Sequence, residues 1–431
     1  MSEEPRTIAA IATAPGRGGV AVVRVSGPDA FAVAGRVAGR PPEPGRAVFA
    51  RFRGAGGEIV DSGLLLGFAS PRSYTGEDVA ELQCHGGSVA PRLVLEACFA
   101  AGARLARRGE FAERAFLNGR MDLSEAEGVV ELVDAKTCRA ARDALSRQGG
   151  AAGKAYRALY DRALSLSATL EHSLDVDESE LPPGFLAEAS SAAALAVREV
   201  DAALARAREG RILRDGALVV LAGPPNAGKS SLLNALLGTD RAIVSPAPGT
   251  TRDSIEEWLD MGGWPVRLVD TAGLREAGDA VEREGVARAE ALAAKADIVV
   301  FLDDGRGAPP PRGGEAVLRV RSKCDLSRGA GLNVSAKTGE GLDALRDELA
   351  ARLAALAGDP GEASPTPSAR EASLLAEARA ALSLAASPER RDPVLVANAV
   401  RTAADALGRL AGAVYSDDLL DAVFSRFCVG K

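Results

Sequence analysis

The stretch Gly223-Pro-Pro-Asn-Ala-Gly-Lys-Ser230 constrains this chain more than any other. It follows the apolar run Leu218–Leu221 and precedes Ser231-Leu-Leu-Asn-Ala-Leu-Leu237. Strand, glycine loop, helix is the context in which such a loop turns its backbone N–H groups onto phosphates. The helix N-terminus adds a favourable dipole. Lys229 is expected to reach the β- and γ-phosphates of a nucleotide, and Ser230 to hold Mg²⁺. Asn226, Ala227, Gly228 and Ser231 complete the phosphate-facing set.

Three further segments follow in order. Thr250 and Thr251 lie in Gly249-Thr-Thr-Arg-Asp253, where a threonine can close over the γ-phosphate and Mg²⁺; Thr251 is the expected Mg²⁺ ligand. Asp270, Thr271, Ala272 and Gly273 end the run Val266–Val269. Asp270 can face the Mg²⁺ hydration shell, and the Gly273 amide the γ-phosphate. Ser322-Lys-Cys-Asp325 follows Val317–Val320. Asp325 can accept two hydrogen bonds from a guanine edge that adenine cannot supply, with Lys323 beside it and Ser335, Ala336 and Lys337 supporting the base. Each segment alone is weak: Asp after a strand is often a helix cap, and Gly-Thr an ordinary turn. Together, at the ends of apolar runs, they specify a GTP hydrolase on a doubly wound, mostly parallel α/β domain.

The chain departs from that pattern in informative places. Ser322 stands where such proteins usually carry Asn, so base binding is expected to be weaker, with guanine preference kept through Asp325. Leu274 stands where many small GTPases place the water-orienting Gln, and leucine cannot polarise water. From spacing alone, Glu282 in Val281-Glu-Arg-Glu284 reads as an exposed helix carboxylate, although it falls on the segment expected to sense the γ-phosphate. Arg252 and Arg275 are nearby, but neither is an obvious arginine finger. The Asn226 carbonyl could instead hold a monovalent cation that stabilises the developing charge. The crossover Asp304–Gly314, with Pro309-Pro-Pro311, looks shortened and irregular.

The rest of the chain sets boundaries. Its 431 residues carry a net charge of −7, which argues against a wholly nucleic-acid-binding surface. Five dispersed cysteines and two histidines give no zinc spacing and suggest free thiols in a reducing compartment. The acidic N-terminus is not a secretory signal, and no apolar run is long enough for a membrane helix, so a cytoplasmic protein is expected. Residues 1–120 read as mixed α/β. Helical composition then runs over 121–213, with Ser124-Glu-Ala-Glu127 resembling a capping box and Leu181-Pro-Pro-Gly184 breaking two long helices. The nucleotide domain occupies 214–356. A linker and a return to helical composition fill 357–431. A multidomain α/β plus all-α chain is expected, its helical part split by the nucleotide domain.

Blocks throughout the chain resemble the MnmE (TrmE) family of tRNA-modification GTPases. They include Pro15-Gly-Arg-Gly-Gly19, Tyr74-Thr-Gly-Glu-Asp78, Glu81-Leu-Gln-Cys-His-Gly-Gly87, Gly109–Asn118, Asp270–Glu276, Ser416–Leu420 and Phe427-Cys-Val-Gly-Lys431. The resemblance implies an N-terminal α+β folate-binding and dimerisation domain. It implies 5-formyl- or methylene-tetrahydrofolate near Arg24, Glu81, Arg120 and Lys431, with Arg120 where lysine is common. It implies K⁺ held by Asn226 and by Ser245, Ala247 and Thr250 of a loop that also contains Pro246, Pro248 and Gly249. It raises Glu282 to a water-orienting catalytic residue. It further implies a homodimer, an FAD-dependent partner (MnmG) forming a heterotetramer, and aminomethyl or carboxymethylaminomethyl modification of tRNA wobble uridine at C5. A regulatory GTPase switch in ribosome assembly is the alternative. Cys428 reads equally as a central thiol or as an inert residue at a helix end. Arg104, Arg107, Arg108 and Arg114 read as a solvated helix face before a tRNA contact.

Overall fold

A computed structural model describes residues 6–176, 180–239, 256–270, 290–305, 309–310, 316–358, 366–387 and 392–430. The chain forms two units: Met1–Val130 with Ala411–Lys431, and Glu131–Leu410.

The first unit is built on a mixed sheet. Its strands are β1 (Ile8–Ile11), β2 (Val20–Ser26), β3 (Ala47–Arg53), β4 (Ile59–Phe68), β5 (Val79–His85) and β6 (Arg104–Leu105), in the order β3-β4-β5-β2-β1-β6. All neighbours are antiparallel except β1 and β6. Alternation along the strands sends Val23, Val25, Phe52, Leu65 and Leu82 to one face. There they pack on Val33 and Val37 of α1 (Ala30–Ala38) and on Val94 and Ala97 of α2 (Ala90–Ala100). Each fully buried side chain of this kind contributes about 1.5–3 kcal/mol. The burial leaves Cys84 and Cys98 as buried thiols, with pKa values pushed up to about 11 and about 12. The opposite face carries Val22, Arg24, Phe49, Leu64, Glu81 and Gln83, with Phe49 63% exposed.

A smaller core joins α3 (Glu110–Leu117) and the start of α4 (Leu123–Asp134) to α13 (Asp417–Phe424), through Ala112, Leu123, Ala126, Leu420, Phe424 and Phe427. The cap of α4 differs from the sequence expectation. The reciprocal pair is Asp122 with Glu125: Glu125 N–H donates to Asp122 Oδ1 at 2.8 Å, and Asp122 N–H to Glu125 Oε2 at 2.7 Å. The helix therefore starts at Leu123, and Ser124 is buried inside its first turn. Two acidic box patterns overlap here, and the aspartate won because its short carboxylate reaches its own N3 amide.

The second unit holds α5 (Cys138–Gln148), α6 (Ala151–Leu174), α7 (Phe185–Ala205) and α8 (Ala207–Asp215), then a second sheet, then α10 (Leu342–Ala357), α11 (Ala369–Ala385) and α12 (Pro393–Leu410). The expected break at 181–184 separates α6 from α7. The sheet contains β7 (Ala217–Ala222), β8 (Glu256–Met261), β9 (Trp264–Asp270), β10 (Ile298–Asp303), β11 (Ala316–Arg321) and β12 (Leu332–Asn333), with α9 (Lys229–Thr239) following β7. Its order is β12-β11-β10-β7-β9-β8, parallel except for β8. The three apolar runs read from the sequence are strands β7, β9 and β11 of this sheet, and β8 adds an antiparallel edge. The described residues of the β10–β11 crossover, 304–305 and 309–310, are non-helical, as its glycine and proline content requires. No described helix is long and apolar enough to cross a membrane.

Thr137 and Arg139 seat α5 on the β8–β9 hairpin. The Thr137 hydroxyl donates to Gly263 O at 2.8 Å, and the Arg139 guanidinium lies 3.7 Å from the Trp264 ring centroid.

Candidate functional site

In an open parallel sheet, ligands bind beyond the carboxyl ends of the strands, where the strand order reverses. Here β7 has β9 on one side and β10 on the other, and the Gly223–Ser230 loop leaves its carboxyl end. Gly223 has φ 148°, and a Cβ there would stand 2.7 Å from Leu302 O, so only glycine fits. Asn226 (φ 63°) and Lys323 (φ 56°) are the non-glycine residues with left-handed backbones among the described residues. Such strain persists where surrounding bonds enforce it. The two are joined: Lys323 Nζ donates to Asn226 O at 2.7 Å. This strut between the phosphate loop and the end of β11 was not read from the sequence, because a left-handed asparagine has no compositional mark.

Lys229 is buried, and its Nζ donates to Gly223 O and Pro224 O, each at 3.0 Å. The ammonium therefore lies inside the curl of the loop. Ser230 Oγ donates to Asp270 Oδ2 at 2.6 Å, and Asp270 is buried at the end of β9. A hydroxyl and a buried carboxylate in contact form a hard oxygen pair suited to Mg²⁺. Ala227 is buried beneath the loop, and Ser231 begins the exposed face of α9.

Beside the loop lies a cavity of about 280 Å³. Gly228, Ser231, Ser322, Lys323, Asp325, Ser335, Ala336 and Lys337 line it, with Leu302, Leu326 and Val334 adding apolar walls. These apolar residues escaped the sequence reading because nothing distinguishes a strand-end leucine that faces a ligand from one in the core. Ser335 Oγ donates to Asp325 Oδ1 at 2.7 Å and fixes the carboxylate at the cavity mouth. Thr251, the loop residues Ser245, Pro246, Ala247, Pro248, Gly249 and Thr250, the residues Thr271, Ala272 and Gly273, and Glu282 all lie outside the described residues.

The first unit gathers its expected residues on the face away from α1 and α2. Arg24 donates to Glu81 Oε1 from Nε and Nη2, at 3.1 and 3.0 Å, across the β2–β5 pair. Its guanidinium lies 5.1 Å from the Tyr74 ring centroid and 5.8 Å from that of Phe111. Arg120 Nε donates to Ser73 O at 3.2 Å, next to Tyr74. The chain end is drawn toward the same strands: a Cβ on Gly430 would stand 2.3 Å from Ile11 O. Lys431 lies outside the described residues. Tyr74 Oη is buried and has no hydrogen-bond partner among the described residues. A half-buried cation–carboxylate pair, two aromatic faces and an unmatched hydroxyl suit a flat heterocycle with polar edges. Cys428 is exposed.

The arginines of this unit are mostly engaged. Arg104 and Arg114 bind Glu110, Arg114 also binds Glu77, Arg107 binds Glu113, and Arg108 Nε donates to Phe427 O. Burial alone would raise the Glu110 pKa, but hydrogen bonds from Arg104, the Arg107 amide and Arg114 outweigh it and hold the carboxyl at about 2. A depressed acid stabilises the fold above its unfolded pKa and loses that contribution as pH falls through the folded value. Acid titration is therefore expected to remove stability between roughly pH 4.5 and 2, and Glu110→Gln should flatten that part of the melting-temperature curve.

Comparison with known proteins settles the family. The family model of the GTP-binding protein TrmE N-terminus matches residues 7–120, and that of the MnmE helical domain matches 123–428. The chain belongs to the MnmE family. A tRNA modification GTPase MnmE of Alkalilimnicola ehrlichii is 47% identical over 99% of both chains, and one of Neisseria meningitidis is 44% identical over the whole of both. The G domain of the Thermotoga maritima FeoB iron transporter, a solved structure, covers 32% of this chain at 26% identity, with a TM-score of 0.24. The MnmE helical-domain match spans the entire second sheet together with helices on either side of it in the chain.

Proposed function

We infer that this chain is a tRNA modification GTPase. The observation that carries this is a phosphate loop and an Asp325 base cavity in a chain whose N-terminal and helical parts both match the MnmE family. A ribosome-assembly switch has no comparable support.

In hydrolysis, the loop amides and Lys229 bind the β- and γ-phosphates and neutralise the charge that spreads over them. Ser230, Asp270 and Thr251 would hold Mg²⁺, which supplies further neutralisation. Asn226 is exposed at the loop crest, and with Ser245, Ala247 and Thr250 it would hold K⁺ beside the developing charge. Glu282 orients the attacking water, the task that Leu274 cannot perform. GTP turnover is expected to be at least roughly tenfold faster in K⁺ than in Na⁺, and Asn226→Ala should erase that difference. Glu282→Ala should lower kcat by roughly 10²-fold or more while GTP affinity stays near wild type. Equal turnover in the two salts would remove the cation from the mechanism.

Arg24, Glu81, Arg120 and Lys431 would bind a one-carbon tetrahydrofolate, whose chemistry supplies the methylene carbon of the modification. The chain acts as a homodimer, and the exposed pair Phe49 and Leu64, side by side on β3 and β4, is an apolar surface that a second copy would cover. It works with an FAD-dependent MnmG partner on the wobble uridine of tRNA, in the cytoplasm. The test is nucleoside analysis of tRNA from a deletion strain: loss of the C5 modification supports the reading, and normal tRNA overturns it.

A further inference from the structure

Position 322 is where this base cavity departs from what guanine offers. A carboxylate only accepts hydrogen bonds, so Asp325 must face the adjacent donors of guanine, N1–H and the N2 amino group. The remaining polar atoms of the base, O6 and N7, are acceptors and need donors from the wall. O6 neighbours N1 and lies within reach of the Ser335–Lys337 backbone that lines the cavity. N7 lies on the five-membered ring, beyond that loop, so its partner must be a side chain from the end of β11.

Two side chains there line the cavity, and both are turned elsewhere. Lys323 sends its Nζ to Asn226 O at 2.7 Å. Ser322 is buried; its N–H donates to Asp303 O at 3.1 Å, and its hydroxyl makes a long contact of 3.5 Å to the same oxygen. The serine side chain is short and carries a hydroxyl, so it extends no amide donor into the cavity. We propose that this site reads guanine at N1–H and N2 through Asp325 and leaves N7 unread, with Ser322 as the determinant. The site then accepts guanine nucleotides altered at position 7 as readily as GTP. This rests on the GTP-binding reading of the cavity.

The experiment compares GTP, 7-deaza-GTP, ITP and ATP binding to the full-length chain with Mg²⁺, by calorimetry, for wild type and Ser322→Asn. Wild type should bind 7-deaza-GTP within about twofold of GTP, and Ser322→Asn should favour GTP over 7-deaza-GTP by roughly five- to tenfold, the worth of one neutral hydrogen bond. ITP lacks the N2 donor and should bind both proteins at least roughly tenfold more weakly than GTP. Wild type that binds 7-deaza-GTP roughly fivefold or more below GTP overturns the proposal, because N7 is then read. Equal binding of the two by Ser322→Asn overturns the role of Ser322. Wild type that binds ATP as well as GTP removes the guanine reading itself, an outcome distinct from either.

Discussion

Lys229→Ala should lower kcat/KM for GTP by about 10²- to 10⁴-fold. Lys229 is the only cation whose ammonium lies inside the curl of the phosphate loop among the described residues, donating to Gly223 O and Pro224 O. Those two carbonyls hold it where the β–γ bridge of a bound triphosphate has to pass. In a buried site each charge-assisted hydrogen bond to a phosphate is worth about 1.5–3 kcal/mol. Losing two costs roughly 3 to 6 kcal/mol, and each 1.36 kcal/mol is a factor of ten in rate. The fold should tolerate the change, because alanine suits the first turn of α9 and the core under the loop is apolar. Single-turnover hydrolysis and circular dichroism on the same samples separate the two effects. Turnover within tenfold of wild type would show that the loop does not carry the chemistry.

Much of this site is legible in the sequence because its chemistry is done by backbone. A phosphate cradle needs glycine where a Cβ would collide, as at Gly223, so the pattern must appear in the letters. Asp270 and Asp325 were legible for a related reason: Asp270 directly follows one apolar run and Asp325 lies five residues past another, where strand ends deliver side chains to a common edge. Three features were not legible. The Lys323–Asn226 strut depends on two backbone conformations that no residue type announces. The cap at Asp122 is masked in the letters by a competing serine pattern two residues later. The grouping of Ala411–Lys431 with the first unit is invisible to composition, since α13 reads like any other helix. Likewise, Arg24 and Glu81 on neighbouring strands look like ordinary surface charges until register places them side by side.

Arg147→Ala should destabilise the second unit by about 3–5 kcal/mol, the cost of stranding a buried charge. In a run as arginine-rich as α5, nothing in the letters separates this residue from its solvated neighbours, yet it is fully buried. Its Nη1 donates to Glu371 Oε2 at 2.8 Å and to Thr366 O at 2.5 Å, and its Nε lies 3.0 Å from Glu131 Oε2. Glu371 is fully buried as well. It also closes the capping box of α11, accepting from the Ser368 amide at 2.7 Å while its own amide donates to Ser368 Oγ at 3.2 Å. One arginine therefore fixes the place where the chain re-enters the helices after the nucleotide-binding sheet. Arg214 reinforces it through Thr366 Oγ1 and Pro367 O, and Thr366 Oγ1 donates to Asp143 on α5 at 2.6 Å. Removing the guanidinium takes away the 2.8 Å ion pair of Glu371 and leaves the Ser368 amide, a Tyr156 hydroxyl at 3.4 Å and the Arg370 guanidinium at 3.9 Å as weaker partners. A buried charge satisfied this way is unstable against the unfolded chain, where water solvates it. Urea unfolding should show the midpoint of Arg147→Ala shifted strongly downward. The double change Arg147→Met/Glu371→Gln should recover part of the loss, since it removes the stranded charge while keeping volume. If the single variant lost less than about 1 kcal/mol, the pair would be worth no more than a surface ion pair. The consequence for hydrolysis follows from α5, which carries Arg147 near one end and, near the other, the Thr137 and Arg139 contacts to the hairpin whose second strand ends in Asp270. Loosening one end of that helix should therefore raise the KM for GTP before it abolishes binding.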